Sequence, residues 1–339
     1  MEELGSLLDK LSIGSESDAF ISQEGFWASE GGGDNPANCA PLLNRNNGCL
    51  KTGQKENEHV LQRTSKWPAL CGADAVKSLP KVQPVKGAGT SESILWRDAE
   101  RTFKSEKFRQ QMIDVLELIA DGDYHQGMGY FTGFLLLVLP PQDVAKVLHK
   151  VGTDSKYTPG YWKGQPEAFV RDAMVYHQLV KNRIPEVAEH LEKAGLVPEA
   201  YAQKWFVGLC VHTMPFEALL DLFEAFLTEG YLFLFKLSVS IVGAIKEQIL
   251  STKHSEVNKL FELMRLDDKI FPDDNIAFFK SILQAAKDCE LNASEIDAMR
   301  DVQMKILQEK LEKVREREKE LKDDSDDEIV FSDEDEDEE

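Results

Sequence analysis

Two apolar runs, residues 129–139 and 231–245, set the tightest limit on what this chain can fold into. The first carries no charge and stops at Pro140-Pro141; the second is interrupted only by Lys236. A bilayer span needs roughly 18 to 20 apolar residues, so both runs are too short to cross a membrane and read as helices buried inside protein. Amphipathic segments that could cover them are present. Phe108, Met112, Val115, Leu116 and Ile119 recur at helical spacing with charges opposite, and further such segments lie at 144–151, 166–179, 185–193 and 201–209, with last helices at 231–249 and 275–289. The expected fold class is all-α, a multi-helix domain.

Composition divides the 339 residues. Residues 1–91 are rich in Gly, Ser, Asn and charge, too poor in apolar surface to offset the entropy of ordering, and are expected to be a mostly disordered arm in which Phe26-Trp27 and Trp67 are isolated aromatics. The helical domain is expected at 92–289. Ser294-Glu295-Ile296-Asp297 reads as a capping box opening a charged helix over 290–322. Residues 323–339 form an acidic tail, expected to be disordered by self-repulsion; it holds twelve acids and no base, leaving −9 of the net −21 for the rest.

These features exclude several classes of function. A surface of that sign lacks the basic footprint of nucleic-acid binding. Five scattered cysteines (Cys39, Cys49, Cys71, Cys210, Cys289) with no Cys-x-x-Cys pair suit neither a disulfide framework nor a zinc site, and fit a reducing cytoplasm. Met1-Glu2-Glu3 is not the start of a secretory signal. The cluster Gly31-Gly32-Gly33 lacks the Gly-Lys-Ser/Thr end of a phosphate-binding loop, and the histidines show no metal-ligand spacing.

Two short runs carry the chemistry. Leu95, Asp98 and Arg101, followed by Thr102-Phe103, and then Tyr124, Gln126, Gly127 and Met128, sit on either side of a helix expected over 106–119. Together they resemble the two signature motifs of the TBC domain, the GTPase-activating domain for Rab-type small GTPases: an apolar residue-x-x-Asp-x-x-Arg followed by Thr-Phe, and Tyr-x-Gln followed by Gly-Met. The resemblance extends over about 92–289, with a Pro-Gly-Tyr-like turn at 159–161, the aromatic pair Trp205-Phe206 ahead of Pro215, and Phe223-Glu224 where the family has Trp-Asp. It departs at Gly129, where the family often has Asn, in its shorter inter-motif segment, and ahead of Leu95, where the family's Trp-containing helices are not recognised.

The resemblance implies Arg101 as an arginine finger and Gln126 as a glutamine finger, with Asp98 and Tyr124 orienting them. GTP hydrolysis asks a protein to neutralise charge on the phosphoryl oxygens and to hold a water in line. A guanidinium suits the first task, and a carboxamide, which both accepts and donates, suits the second. The implied activity is activation of a Rab-type partner in vesicle trafficking, without a substrate or cofactor of its own, GTP and Mg²⁺ being held by the partner. The implied location is cytoplasmic, with peripheral association to endomembranes through that partner. The shorter inter-motif segment and unrecognised N-terminal helices leave open an alternative: a catalytically weak TBC-like scaffold that binds a small GTPase or tethering partner without stimulating hydrolysis. Geometry allows convergence of the fingers. A helix over 106–119 advances about 20 Å, and the two flanking linkers can return roughly 30 Å.

Overall fold

The helix that begins at Gln126 runs through the middle of the molecule. In the computed structural model, which describes residues 19–22, 54–87, 93–103, 106–272 and 274–326, this helix spans Gln126–Val138, and all of it from Gly127 onward except Tyr130 is buried. A segment without charge can only be stable when enclosed. The enclosing elements among the described residues are fourteen further α-helices and no strand.

In chain order they are α1 (Gln54–Thr64), α2 (Trp67–Cys71), α3 (Ile94–Thr102), α4 (Glu106–Ile119), the central α5 (Gln126–Val138), α6 (Pro141–Thr153), α7 (Glu167–Arg183), α8 (Pro185–Lys193), α9 (Pro198–Phe206), α10 (Phe216–Glu229), α11 (Tyr231–Ala244), α12 (Lys246–Ser251), α13 (Val257–Met264), α14 (Ile276–Asp288) and α15 (Ala293–Asp326). The second apolar run is a buried helix too, though it breaks at Ile245 into α11 and α12. Between α8 and α9, Gly195 takes the left-handed conformation, while Leu196 N–H reaches Leu191 O and Gly195 N–H reaches Glu192 O. That is the Schellman pattern expected of a glycine just past a helix end.

Residues 54–75 correct the reading of 1–91 as an arm outside the domain. Trp67 is fully buried, its ring 6.4 Å from Phe134 of α5 and 6.0 Å from Phe223 of α10. Phe223 also stacks on Phe131 at 5.0 Å and on Phe134 at 4.8 Å. Glu224 accepts two hydrogen bonds from Arg63 of α1, at 2.5 and 2.6 Å, and one from Trp67 Nε1 at 3.3 Å. Arg63 also reaches Asp221 at 2.5 Å. The Trp-containing helices ahead of the first motif are therefore present. Phe20 packs beside them, its ring 4.9 Å from Phe103 and 4.2 Å from Phe108. The last helix, expected over 290–322, spans Ala293–Asp326 and so takes in the first residues of the acidic tail expected at 323–339, while Phe26-Trp27 and the tail from 327 onward lie outside the described residues.

At the other end, α15 is anchored by a buried ion pair. Asp172 of α7, fully buried, accepts from Arg300 Nε at 2.9 Å and Nη2 at 2.5 Å, from Arg171 Nε at 2.7 Å and from Tyr161 Oη at 2.5 Å. Arg300 also lies 3.7 Å from the centre of the Tyr231 ring. The cap of α15 is Asn292 rather than Ser294: Asn292 Oδ1 accepts from Glu295 N–H at 2.9 Å, and Ser294 Oγ donates to the same oxygen at 2.6 Å. Asn is as good an N-cap as Ser, and it stands at the position whose side chain reaches the third amide.

Candidate functional site

Helix α3 has one buried edge, Leu95, Asp98, Ala99 and Thr102, and one exposed edge that carries Arg97 and Arg101. Ser93 caps it, accepting from Leu95 N–H at 3.2 Å. A carboxylate on the buried edge needs partners, and Asp98, only 4% exposed, has three. Tyr124 Oη donates to Oδ2 at 2.8 Å; Arg101 Nη2 donates to Oδ1; and Gln126 Nε2 lies 3.5 Å from that same Oδ1. Arg101 Nε donates in addition to Arg97 O at 3.3 Å. The four residues singled out in the sequence therefore meet at one carboxylate.

The convergence depends on how α4 is tied down at both ends. It spans Glu106–Ile119, as its periodicity predicts, and Arg109 Nε donates to Phe103 O at 2.6 Å, closing the turn from α3. Beyond α4 the chain turns at Gly122, whose φ is 69°. Gly122 N–H donates to Gln83 O at 2.7 Å, Asp121 Oδ1 accepts from Gln83 N–H at 2.8 Å, and Asp123 Oδ2 accepts from Gly164 N–H at 2.7 Å. The loop that delivers Tyr124 to Gln126 is thus pinned from two sides.

Gly129 has a positive reason to be glycine. A Cβ there would collide with Tyr124 Oη, so the missing side chain makes room for the hydroxyl that reaches Asp98. Gly127 is likewise close-packed: a Cβ would stand 2.6 Å from Val207 Cγ1 and 2.7 Å from Val207 O. Burial, with the Asp98 charge beside it, pushes the Tyr124 hydroxyl well above the usual tyrosine range, so it remains a donor.

Arg101 and Gln126 differ in their surroundings. The Arg101 side chain is 56% exposed and is not among the residues that line the cleft at Gln126. Gln126 opens onto a cleft of about 310 Å³, walled by the start of α5, the end of α9 and Arg265 at the end of α13. Lys204, Arg265, His125 and His212 line this cleft and no acid does, although the chain holds 60 acids against 39 Lys and Arg. The turn that forms its far wall has Leu209 at φ 46° and Cys210 at φ 59°, left-handed values that are costly for these residues. His125, Gln83, Gly129 and Arg265 were not singled out in the sequence as parts of the site. Of these, His125 stands inside the second motif and Gly129 directly after it.

Among the described residues no group of His, Cys, Asp and Glu is arranged to hold a metal ion, and no helix is long and apolar enough to cross a membrane.

The family model of the Rab-GTPase-TBC domain matches residues 62–250, starting within α1 rather than near residue 92. Mouse carabin is 28% identical over 193 residues, covering 52% of this chain and 43% of carabin. The Drosophila melanogaster protein TBC1 domain family member whacked is 33% identical over 119 residues, 35% of this chain and 32% of that protein. The Caenorhabditis elegans Rab GTPase-activating protein tbc-11 is 23% identical over 189 residues, 51% of this chain and 20% of that protein. The chain thus spans less than half the length of each. Among solved structures, the Chlamydomonas flagellar RabGAP TBC domain superposes with a TM-score of 0.50 at 17% identity, covering 69% of this chain and 84% of that one. The TBC domain of Skywalker/TBC1D24 from Drosophila melanogaster gives a TM-score of 0.50 at 14% identity, covering 80% and 99%. At such identities the two structures speak for the fold alone.

Proposed function

Because the chain belongs to the Rab-GTPase-TBC domain family, we propose that it activates GTP hydrolysis by a Rab-type small GTPase in vesicle trafficking, entering the partner's nucleotide pocket with Arg101 and Gln126. The observation that carries this reading is the shared anchor: a guanidinium and a carboxamide from different helices both reach Asp98 Oδ1.

Counting donors shows why the anchor need not be released. A guanidinium has five N–H groups. Nε is used on Arg97 O and one N–H of Nη2 on Asp98, which leaves three for the phosphoryl oxygens. The Gln126 carboxamide spends one N–H on Asp98 and keeps its oxygen to accept from a water and its second N–H to donate. Asp98, itself buried and held by Tyr124, fixes both groups before the partner arrives. Such pre-organisation is where electrostatic catalysis gains most. An arginine finger contributes roughly 10³ to 10⁵ in rate. GTP and Mg²⁺ belong to the partner.

Of the two sequence features that favour a non-stimulating scaffold, one is answered by the helices that precede the first motif, and the other, the short inter-motif segment, still brings the four residues to one carboxylate, which supports the activator reading. Single-turnover GTP hydrolysis by a panel of Rab-type GTPases, with and without the full chain, tests the proposal. Acceleration of at least one member is expected. Binding without acceleration across the panel would overturn it in favour of the scaffold.

A further inference from the structure

Helix α5 starts with Gln126, so whatever caps α5 also fixes the backbone of Gln126. The cap is His125. Its backbone is extended (φ −121°, ψ 137°), and its Nδ1 accepts from Gly127 N–H at 3.0 Å. This is the bond that Ser, Thr, Asp or Asn makes at most helix starts. An imidazole that accepts at Nδ1 must carry its proton on Nε2. That nitrogen lies 3.2 Å from the Gln203 carboxamide of α9, which meets an Nε2–H by presenting its oxygen after the 180° turn that leaves its shape unchanged.

On the activator reading above, we propose that His125 is a positioning residue for Gln126: the neutral imidazole, held between Gly127 N–H and Gln203, caps α5 and sets the carboxamide toward Asp98, and its protonation disables the activator. The sign follows from hydrogen bonding. A protonated ring has donors at both nitrogens, so Nδ1–H faces Gly127 N–H, the cap is lost, and a cation stands at the positive end of the helix dipole. The surroundings of the ring act in both directions. Asp123 in the preceding loop and Asp98 from α3 favour the cation. Lys204 from α9, with His212 and Arg265 across the cleft, line the same space, and the opposing influence is burial of the ring. Burial outweighs the acids and lowers the His125 pKa from 6.5. The cap is therefore intact in the native state at neutral pH, and is lost only as the pH falls below about 6.5.

Three full-length proteins separate the outcomes: wild type, His125→Ala, which has no cap, and His125→Asn, which caps and does not titrate. Single-turnover activation is measured on the panel member that responds to wild type, from pH 5.5 to 8, relative to that GTPase alone. At pH 7.5, His125→Ala is expected to lose roughly ten-fold in the maximal rate with the half-saturating concentration changed by less than about two-fold, and His125→Asn to restore it. Below pH 6.5, wild type falls while His125→Asn stays level. In ¹⁵N-histidine spectra of the free chain, the neutral ring carries its proton on Nε2. Parallel pH profiles for wild type and His125→Asn, an undiminished His125→Ala, or a proton on Nδ1 would each overturn the proposal. Arg101→Ala, run alongside, keeps the two levels apart. If it abolishes activation while His125→Ala does not, only the cap proposal fails; if it leaves activation untouched, the activator reading fails and the cap proposal with it.

Discussion

Tyr124 Oη donates to Asp98 Oδ2 at 2.8 Å, while the other oxygen of that carboxylate holds Arg101 and stands 3.5 Å from Gln126. Asp98 is the piece on which both motifs depend. It is buried, so its partners are obligatory rather than incidental.

Asp98→Asn keeps the size of the side chain and removes its charge. The guanidinium loses its counter-charge and Gln126 faces an amide in place of a carboxylate. A displacement of about 1 Å in a catalytic group can cost roughly 10² in rate, and a loss of that order in GTPase activation is expected, measured by single-turnover hydrolysis with binding little changed.

Gly129→Ala should unseat Tyr124, because the new Cβ occupies the place of its hydroxyl. Overpacking of this kind costs about 1 to 3 kcal/mol. Tyr124→Phe relieves the collision, so the double variant should be less destabilised than the two single effects summed. Urea denaturation of the four proteins in the cycle reads this non-additivity.

Trp67→Ala removes the largest ring in the nest formed with Phe131, Phe134 and Phe223. Loss of about 3 to 5 kcal/mol is expected from equilibrium denaturation. By the same logic a chain starting at residue 92 should unfold at much lower urea than one starting at residue 54.

Arg300→Ala leaves Asp172 buried with Arg171 and Tyr161 and without its bidentate partner. Breaking a buried pair from one side costs about 3 to 5 kcal/mol. The start of α15 should then exchange its amide hydrogens faster, as hydrogen-exchange mass spectrometry would show.

The sequence made the helical class plain because the two apolar runs, one without charge and one with Lys236 alone, leave a chain few choices, and the inter-motif helix was legible from the spacing of Phe108, Met112, Val115, Leu116 and Ile119. Residues 54–75 were not. Trp67 opens the five-residue run Trp67-Pro68-Ala69-Leu70-Cys71, too short to show a helical period, and its aromatic partners Phe134 and Phe223 lie far along the chain, so nothing local distinguishes it from a stray aromatic. Gly129 reads as a lost hydrogen-bonding side chain until the position of Tyr124 Oη shows why no side chain fits. His125 is not legible as part of the site because a helix cap needs neither metal-ligand spacing to acids or cysteines nor a Ser/His/Asp arrangement, the patterns by which a histidine shows in a sequence. Ser294 satisfied the capping pattern as well as Asn292 does; which of them reaches the third amide depends on where the helix starts, and that is set by the docking of Ile296 and Arg300.

The most direct test is single-turnover GTP hydrolysis by a responsive Rab-type GTPase in the presence of wild type, Arg101→Ala and Arg101→Lys chains. Wild type should accelerate hydrolysis, Arg101→Ala should remove roughly 10³-fold or more of that acceleration, and Arg101→Lys should fail to restore it because an ammonium lacks the planar fork. Equal rates for wild type and Arg101→Ala would contradict the account.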